Sequence, residues 1–417
     1  MDMQSKAKKL IEMIQTAPVE WKPLGEVGLL VRGNGLQKKD FTESGVPAIH
    51  YGQIYTYYGN QTDKTLSFVS PELAEKLKKV DKGDVVITNT SENIEDVGKA
   101  LLYLGEEQAV TGGHATIFKP SKEIVGKFFV YFTQTEIFDK AKRKFAKGTK
   151  VIDVSATDMA KIKIPIPPLE NQKKIVKILD KFTELEATLE AELALRKRQY
   201  RYYRDFLLDF DNQIGGGIAD GYQCRLKDVV WKTLGEIAEY SKNRICSDKL
   251  NEHNYVGVDN LLQNREGKKL SGYVPSEGKM TEYIVNDILI GNIRPYLKKI
   301  WQADCTGGTN GDVLVIRVTD EKVNPKYLYQ VLADDKFFAF NMKHAKGAKM
   351  PRGSKTAIMQ YKIPIPPLPE QEKIVAILDK FDTLTHSVSE GLPHEIALRR
   401  KQYEYYREQL LAFPKAA

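Results

Sequence analysis

Two runs of unopposed cations are the residues in this sequence best suited to bind an anion. Residues 140–150 (KAKRKFAKGTK) contain six Lys or Arg and no Asp or Glu, and residues 343–355 (KHAKGAKMPRGSK) contain five, again without an acid. The alternative is a solvated helix end followed by a turn. We favour phosphate contact, because acids that would pair these cations on an exposed helix are absent from both runs. The candidate phosphate contacts are Lys144, Lys147, Lys150, Lys346, Lys349 and Arg352.

Polar side chains in other loops could distinguish one nucleic-acid sequence from another. Phosphate contacts supply affinity, whereas sequence choice requires Arg, Lys, Asn, Gln or Ser aimed at base edges. Any one such residue is more commonly an ordinary surface residue, so the prediction concerns the loops as a set. The candidate base contacts are Arg32, Asn34, Lys38, Asn89, Ser91, Lys242, Arg244, Asn292, Arg294, Lys298 and Asn310.

Sequence motifs of catalysis are missing. The chain has no GxxxxGK[ST] phosphate loop, no HExxH and no [DN]PPY, and its six His form no HxH or HxxxH pair. His114, in residues 111–114 (TGGH), could act as a general base. Residues 306–309 (TGGT) repeat the motif without His, so a turn followed by a strand is the better interpretation. We therefore predict no catalytic residues, no metal site and no cofactor.

Composition indicates a soluble globular chain with a polyanionic partner. The 417 residues can form two or three domains, and Lys plus Arg exceed Asp plus Glu by 63 − 55 = 8. Three widely spaced cysteines, none in a CxxC pair, favour a reducing compartment. The charged N-terminus does not resemble a signal peptide, and no apolar stretch approaches the ~20 residues that a membrane span requires. We expect a cytoplasmic protein with no membrane association.

The elements that must position these residues are encoded twice. Residues 163–185 and 362–384 are identical at 17 of 23 positions, both beginning KIPIPPL. Residues 192–208 and 395–411 agree at 11 of 17, but the sequence offset is 203 instead of 199. The second copy therefore contains four extra residues between the two segments. Such repetition indicates a duplicated architecture.

The divergent blocks between the repeated segments favour α/β or α+β domains. Helical character is evident at residues 71–80 and 128–144. Short apolar runs bounded by Gly, Asn, Asp or Thr are typical of strands. Four such runs lie at residues 85–87, 101–104, 288–290 and 313–318.

The repeated segments predict long helices with one apolar stripe. Apolar residues recur at steps of three and four from Ile175 to Leu207, and again from Ile374 to Leu410. A stripe of this length needs another helix, and the other copy is the natural partner. Gly391 and Pro393 should kink or break the second helix. Arg and Tyr interleave at residues 196–204 and 399–407, which favours a helix–helix interface over a nucleic-acid contact.

Each divergent block is followed by a helix entry with the pattern I-P-x-P-P-L…Q-x-K-I-V-x-I-L-D-K. This arrangement resembles the specificity subunits of type I restriction–modification enzymes. The resemblance covers essentially the whole chain. It implies two target recognition domains that each read one half of an asymmetric double-stranded DNA site. It also implies conserved helices that pair antiparallel, separate the domains and bind two modification subunits. Methyl transfer would belong to those subunits, and ATP-driven cleavage to a further restriction subunit.

The expected fold is therefore α+β, with two similar globular domains, an antiparallel coiled coil and a pseudo-two-fold internal repeat. Two other functions stay open. A nuclease would need clustered carboxylates, for which Glu92, Glu95 and Asp96 are the nearest candidates; a scaffold would use only the helices. The expected order is an N-terminal helical segment at residues 1–20, recognition domains at 21–162 and 231–361, helical spacers at 163–210 and 362–413, and a linker at 211–230.

Overall fold

The computed structural model describes residues 3–16, 19–210, 229–387 and 390–414 of the chain. The predicted linker at residues 211–230 lies outside them except for its last two positions. The chain divides into two units. Unit 1 consists of Met1–Thr188 and Ile396–Ala417, and unit 2 of Leu189–Glu395. No helix among the described residues combines the length and the apolar character needed to cross a membrane.

Unit 1 holds two small sheets flanked by helices. Its helices are α1 (Met3–Thr16), α2 (Tyr51–Thr56), α3 (Pro71–Lys76), α4 (Gly126–Phe132), α5 (Glu136–Arg143), α6 (Ala156–Met159) and the first part of α7 (Leu169–Leu208). Its strands are β1 (Glu20–Pro23), β2 (Gly28–Arg32), β3 (Val46–Ile49), β4 (Gln61–Thr62), β5 (Ser67–Val69), β6 (Lys78–Val80), β7 (Val85–Thr88), β8 (Thr90–Ser91), β9 (Ala100–Tyr103), β10 (Ala109–Thr111), β11 (Ala115–Pro120), β12 (Ile152–Asp153) and β13 (Lys163–Ile166).

The strand order of unit 1 places the start and the end of the variable block side by side. One sheet has the order β2-β11-β7-β9-β4, and the other β5-β3-β10-β6. Strand β1 pairs antiparallel with β13, so Trp21 lies opposite Pro165. Strands β7 and β9 are buried along their whole length, as expected for the central apolar runs of a sheet covered on both faces.

Unit 2 repeats this plan with fewer strands. Its strands are β14 (Val230–Thr233), β15 (Ala238–Tyr240), β16 (Arg244–Cys246), β17 (Tyr255–Val256), β18 (Lys279–Tyr283), β19 (Ile288–Gly291), β20 (Ile300–Gln302), β21 (Gly307–Thr309), β22 (Val313–Val318) and β23 (Lys362–Ile365). Its helices are α8 (Leu234–Ile237), α9 (Pro325–Leu332), α10 (Asp335–Lys343), α11 (Lys355–Met359), α12 (Leu368–His386) and the second part of α7, whereas α13 (Leu392–Leu410) belongs mostly to unit 1.

The sheets of unit 2 confirm the internal repeat. The order β15-β22-β19-β20 matches β2-β11-β7-β9 of unit 1. The order β17-β21-β18 matches β3-β10-β6, with the same parallel and antiparallel pairings. The fourth strand of this second sheet differs, because β5 lies beside β3 whereas β16 lies beside β18.

Helix α7 is covered by a repeated helix in each unit. In unit 1, the Phe182 ring stacks on Tyr406 with 5.3 Å between ring centroids, and Arg400 pairs with Glu186 at 2.7 Å. In unit 2, Tyr203 stacks on Phe381 at 5.4 Å. Residue numbers on the two helices run in opposite directions through these contacts, so the pairing is antiparallel, as predicted.

The apolar stripe of α7 also packs on the globular part of its own unit, which the length of the stripe alone does not predict. Ile175, Leu179 and Phe182 belong to the same hydrophobic cluster as Phe128. The cluster includes Leu10 and Ile14 of α1 together with Leu410 of α13, so the N-terminal helix lies in the same core as the C-terminal helix.

The helix of the second copy is interrupted, as Gly391 and Pro393 predict. Helix α12 ends at His386 and α13 begins at Leu392. Gly391 has a φ of +83°, and a Cβ there would lie 2.4 Å from the carbonyl oxygen of Thr383. Only glycine fits this left-handed turn. The interruption falls within residues 385–394, where the second copy has its four extra residues.

A buried glutamine fastens the start of α7 to unit 1. The Nε2 atom of Gln172 donates to the carbonyl oxygens of Glu123 at 2.9 Å and Pro167 at 2.8 Å. Its Oε1 atom accepts the N–H of Val125 at 2.8 Å. The side chain is fully buried, and its contacts satisfy three backbone groups at the junction of helix and sheet domain.

Unit 2 repeats this contact. Gln371 donates to the carbonyl oxygens of Lys322 at 2.9 Å and Pro366 at 2.7 Å, and accepts the N–H of Asn324 at 2.8 Å. A nearby ion pair also recurs, since Lys127–Asp180 (2.8 Å) becomes Lys326–Asp379 (2.7 Å). The repeated sequence therefore specifies how each helix is joined to its domain.

Two of the predicted elements differ from the structure. Residues 71–80 are helical only as far as Lys76, and the last three residues form β6. Residues 128–144 contain two helices, because Thr135 accepts a hydrogen bond from the N–H of Phe138 and starts a new helix. The four predicted strands are confirmed as β7, β9, β19 and β22.

We predict that Gln172→Leu lowers the stability of unit 1 by at least about 2 kcal/mol, because it leaves buried backbone groups without partners. Urea unfolding followed by circular dichroism measures this. The matched control is Lys173→Leu, at the next and exposed position of the same helix. Equal midpoints for the two variants would contradict the prediction.

Candidate nucleic-acid interface

Each basic run ends in a closed loop with a Lys-Gly pair at its start. In unit 1, Lys147 and Asp153 exchange two backbone hydrogen bonds, at 3.0 and 2.8 Å. In unit 2, Lys346 and Arg352 do the same, at 2.9 and 2.8 Å. The following glycine has a φ of about +100° in both loops, a conformation that other residues rarely adopt. The Lys-Gly pairs of the sequence are thus the corners of two equivalent loops.

Each loop is tied to the polar segment that follows the central strand of its sheet. The N–H of Val154 donates to the carbonyl oxygen of Asn89 at 3.0 Å, and that of Gly353 donates to the carbonyl oxygen of Asn292 at 3.1 Å. Strand β12 also pairs with β8, which places Ile152 opposite Ser91. In each unit, the basic run and the loop after the central strand therefore form one continuous surface.

Charged side chains of unit 1 gather around this loop. Arg32 pairs with Asp153 at 3.1 Å and donates from Nε to the carbonyl oxygen of Gly113. Lys147 pairs with Asp158 at 3.1 Å, yet 77% of its side chain is exposed, so its ammonium can still reach an external anion. Hydrogen bonds from Lys161, then Lys147 and Ser155, hold the pKa of the Asp158 carboxyl well below its usual range.

The equivalent surface of unit 2 carries a different set of charges. Arg352 pairs with Asp312 at 3.1 Å, and the N–H of Asp312 donates to the Asn310 side chain. The N–H of Arg294 donates to the carbonyl oxygen of Pro351 at 2.7 Å, which joins the segment after β19 to the loop. Lys346 and Lys349 are exposed on the same loop.

The expectation that the first basic run lacks compensating acids is wrong for its helical part. Arg143 pairs with Asp139 at 2.6 Å and with Glu95 at 3.0 Å. Lys142 is buried, donates to the carbonyl oxygen of Val97, and has its pKa lowered by burial. The acids come from before the run and from a distant loop, so the run itself did not reveal them.

Lys144 and Lys150 are different, because their exposed side chains form no ion pair or hydrogen bond with the described residues. Lys147 is also accessible within the closed loop. Lys140 is equally exposed, but it lies on α5 outside the loop and pairs there with Glu136. The candidate cationic surface is therefore the loop together with Lys144.

Asn89, Ser91 and Asn292 are buried where the sequence predicted accessible base contacts. The side-chain oxygen of Asn89 accepts the hydroxyl of Thr116 at 2.8 Å. The Ser91 hydroxyl accepts the N–H of Asn93 at 3.2 Å, whereas the Oδ1 of Asn292 is buried without a hydrogen-bond partner among the described residues.

Several other predicted base contacts lie apart from the loops or serve local structure. Asn34 bridges the end of α3 and the start of β6, with its side chain bonded to Lys76 and Lys78. Lys38 is exposed in a short 3-10 turn, and Arg244 donates to Thr281 on the second sheet of unit 2. Lys298 contacts Asp335 in a separate cavity of that unit. Lys242, which occupies the place of Arg32 in the repeat, pairs with Glu239 at 3.1 Å.

An aromatic cavity beside the unit 1 loop was missed by the sequence predictions. It has a volume of about 320 Å³ and is lined by Tyr51, Tyr55, His114 and Val151 among others. The rings of Tyr51 and His114 lie 4.9 Å apart, and His114 Nδ1 is 2.7 Å from the Thr90 hydroxyl. Residues 113 and 114 form a turn that is followed by β11, as predicted, and this turn delivers His114 to the cavity. The same prediction is wrong for residues 306–309, because Gly307–Thr309 form β21.

Two of the three carboxylates considered for a nuclease pair with cations, whereas the exposed Glu92 forms no ion pair with the described residues. Asp96 pairs with Lys99 at 2.8 Å, and Glu95 pairs with Arg143. Across the part of the chain that the structure describes, no group of three or more His, Cys, Asp or Glu has the geometry of a metal site. The Tyr and Arg residues of the long helices contribute to helix contacts, through Tyr203, Tyr406 and Arg400.

Comparison with known proteins gives one consistent family. The family described as "Type I restriction modification DNA specificity domain" matches residues 18–195 and residues 227–398. The specificity subunit of the type I restriction enzyme EcoR124I/EcoR124II of Escherichia coli is 30% identical, over 100% of this chain and 98% of that protein. A putative type I restriction enzyme specificity subunit of Haemophilus influenzae is 29% identical, over 99% of this chain and 100% of that protein.

Solved structures agree with this fold. The crystal structure of the type I restriction-modification S subunit from M. genitalium has a TM-score of 0.56 at 16% identity, and covers 96% of this chain and 98% of its own. A structure from work on the assembly and conformational transition of the type I R-M system has a TM-score of 0.57 at 15% identity, over 95% and 98%. With two matched domains and a shared fold over nearly its full length, the chain belongs to the family of type I restriction–modification DNA specificity proteins.

Proposed function

We propose that this chain is the DNA sequence-recognition subunit of a type I restriction–modification complex. Each unit reads one half of a bipartite, asymmetric site in double-stranded DNA, and the long helices set the distance between the halves. The chain performs no catalysis of its own and holds no cofactor. Methyl transfer belongs to two modification subunits that dock on the helices, and ATP-dependent cleavage belongs to restriction subunits. The protein acts in the cytoplasm, where its DNA substrate is found.

The observation that carries this proposal is the repetition of one cationic loop in two divergent surroundings. The loops at residues 147–153 and 346–352 have the same backbone hydrogen bonds, whereas the side chains around them differ. Exposed cations on a shared loop suit phosphate, which every DNA sequence presents. Different neighbours suit different base sequences, because base edges alone carry sequence information.

The accessible residues are the ones to which DNA contact is assigned. Lys144, Lys147, Lys150, Lys346, Lys349 and Arg352 supply phosphate contacts. Base contact falls to residues whose side chains are exposed or partly exposed near the loops, namely Arg32, Lys242, Arg294 and Asn310, with Lys38 in its 3-10 turn and Arg244 on β16. The buried Asn89, Ser91 and Asn292 act by shaping these loops.

The domain boundaries of the proposal follow the strand pairs at the base of each unit. Strand β1 pairs with β13, and β14 pairs with β23, so each variable block is closed where its helix begins. This supports recognition domains at residues 21–162 and 231–361, and helical spacers at 163–210 and 362–413. Residues 1–20 form the N-terminal helical segment, and residues 211–230 form the linker.

The proposal predicts a bipartite methylation pattern. When the chain is expressed with its modification subunits, methylated positions mapped across the host genome should lie in two short sequences separated by an unread gap. Replacing residues 21–162 with the corresponding block of another family member should change one of these sequences and leave the other intact. A single uninterrupted methylated sequence, or an unchanged pattern after the replacement, would contradict the proposal.

Neutralising the exposed cations of the unit 1 loop should weaken binding to all DNA sequences. For the triple variant Lys144→Gln, Lys147→Gln, Lys150→Gln, the slope of log affinity against log salt should fall by about 0.9 for each phosphate that the variant no longer neutralises. Binding of the assembled complex to specific and non-specific duplexes at several salt concentrations measures this slope.

The control for the loop variant is Lys140→Gln. Lys140 lies in the same basic run, but it pairs with Glu136 at 2.9 Å within α5. We expect its salt slope to match that of the unmodified protein. If the triple variant folds normally and keeps the original slope, the loop does not contact phosphate.

The continuous helix α7 offers a test of the spacing function. Four residues added within positions 186–191 lengthen a helix by about 6 Å and turn it by about 40° beyond one full turn, so the apolar stripe keeps its face. Because one base pair spans about 3.4 Å, we expect an unread gap longer by one or two base pairs, with both half-sites unchanged.

A two-residue insertion at the same place is the control. It would rotate the stripe by about 200°, separate Phe182 from Tyr406 or Tyr203 from Phe381, and prevent assembly. Methylation mapping of both variants reads out the result. An unaltered gap in the four-residue variant would show that α7 does not determine the spacing.

A further inference from the structure

Unit 2 contains a cavity with an excess of positive charge, and its lining includes no residue of the closed loop at residues 346–352. Its volume is about 270 Å³, and it is lined by the last turns of α7, by the 3-10 turn Gln263–Arg265 and by the first residue of α10. Five cations line it against three acids. The cations are Lys197, Arg201, Arg204, Arg265 and Lys298, and the acids are Glu266, Asp335 and Asp382.

Arg204 is the central feature of this cavity. Only 3% of the residue is exposed, and its guanidinium lies over the Tyr200 ring at 5.5 Å. Its Nε is buried without a hydrogen-bond partner, and the side chain forms no ion pair with any residue that the structure describes. A buried cation without an anion destabilises a protein, so this position calls for a negative charge.

The cations next to Arg204 also outnumber the acids that could pair with them. Arg265 and Lys298 share one carboxylate, that of Asp335, with Lys298 at 2.7 Å. The Nε of Arg265 is also buried without a partner. Asp334, whose negative charge acts on both Arg265 and Lys298, also accepts the N–H of Lys336 at the start of α10. The five cations and three acids that line the cavity leave an excess of two positive charges.

The cations of the cavity repel one another. Burial, followed by the charge of Arg204, lowers the pKa of Arg265 to about 10. Burial, Arg265 and Arg204, in that order, lower the pKa of Lys298. An anion in the cavity would relieve this repulsion and raise both pKa values again.

Backbone strain is concentrated in the same place. Among the described residues, five other than glycine have a positive φ, and three of the five line this cavity: Asn264 at 55°, Arg265 at 68° and Lys298 at 52°. Such conformations cost stability and persist where the surrounding structure holds them, often at binding sites.

The equivalent place in unit 1 is neutralised. Arg407 corresponds to Arg204 in the repeat and lies over Tyr403 at 5.4 Å, but it pairs with Glu408 at 3.0 Å. The cavity next to Arg407 is lined by five Lys or Arg and five Asp or Glu, so its charges balance. The unpaired arginine is therefore a property of unit 2 and not of the duplicated scaffold.

We propose that the unit 2 cavity binds a phosphomonoester dianion, as inorganic phosphate or as the phosphate of a mononucleotide. A phosphomonoester carries a charge of about −1.5 to −2 at pH 7, which matches the local excess of two. A backbone phosphate of DNA carries one charge. Guanidinium groups bind phosphate oxygens through paired N–H donors, and Arg204 and Arg265 have donors to spare. The site is independent of the DNA-recognition function.

Isothermal titration calorimetry of the full chain with inorganic phosphate, against chloride at matched ionic strength, tests the site. We expect one phosphate per chain for the unmodified protein. Arg204→Gln should weaken binding at least about tenfold, as removal of a charged hydrogen-bond donor generally does. Arg407→Gln, the matched control in unit 1, should bind phosphate like the unmodified protein. Titration with adenosine monophosphate separates the two sources, since a mononucleotide ligand should bind more tightly than phosphate.

Thermal unfolding distinguishes binding from folding. Phosphate should raise the Tm of the unmodified protein and of Arg407→Gln, but not that of Arg204→Gln. In phosphate-free buffer, Arg204→Gln should melt at or above the unmodified protein, because it no longer buries an unpaired charge. The proposal is overturned if the unmodified chain does not bind phosphate or if Arg204→Gln responds to phosphate like the unmodified chain. It is equally overturned if Arg204→Gln abolishes assembly with the modification subunits while phosphate fails to bind, since a partner carboxylate would then fill the cavity.

Discussion

The apolar face of α7 is the constraint on which the rest of the architecture depends. A helix of 40 residues is about 60 Å long, and its stripe must be covered along the whole length. Phe182 is covered by Tyr406 in unit 1, and Tyr203 is covered by Phe381 in unit 2. Phe182 and Phe381 are equivalent positions of the repeat, and so are Tyr203 and Tyr406. The first copy supplies the phenylalanine in unit 1 and the tyrosine in unit 2, and the second copy supplies the other ring in each unit. Each copy therefore supplies the helix that the other lacks, which is why unit 1 is built from the two ends of the chain.

Because both units rely on the same helix contacts, the repeat must preserve the residues that make those contacts, whereas other residues can change. The buried Gln172 and Gln371 bond to backbone groups, and the Lys-Gly loops are closed by backbone hydrogen bonds, so both contacts tolerate different neighbours. The charges around the loops have indeed changed. Asp153 pairs with Arg32 in unit 1, whereas the equivalent Arg352 pairs with Asp312 in unit 2. The charge at this loop position is reversed and its partner comes from a different segment, so an unchanged loop backbone carries different charges in the two units.

The sequence predicts helices and strands well where the spacing of apolar residues, or a single residue type such as glycine or proline, determines the local structure. Helical periodicity located α7, the Gly391–Pro393 segment located its interruption in the second copy, and apolar runs located β7 and β19. The sequence is a poor guide to the burial of polar side chains whose partners are distant in the chain. Lys142 is buried because the carbonyl oxygen of Val97 accepts its hydrogen bond, and Asn89 is buried because its loop folds over it. Neither contact has a signature within the local residues, so accessible and structural polar groups could not be separated before the fold was known.

The two copies differ in their ion pairs while their aromatic helix contacts are the same, and the physical reason is the cost of each kind of change. A substitution at an aromatic contact of α7 would open a cavity in a core that both copies share. A substitution of an exposed acid or base generally changes stability by less than about 1 kcal/mol. Arg407 pairs with Glu408, whereas Arg204 forms no ion pair with the described residues although Asp205 stands at the equivalent position, and both arginines lie over a tyrosine ring. A duplicated chain thus keeps equivalent apolar residues in both copies while the charges on the two surfaces become different. Two unlike surfaces on one framework are suited to an asymmetric DNA site.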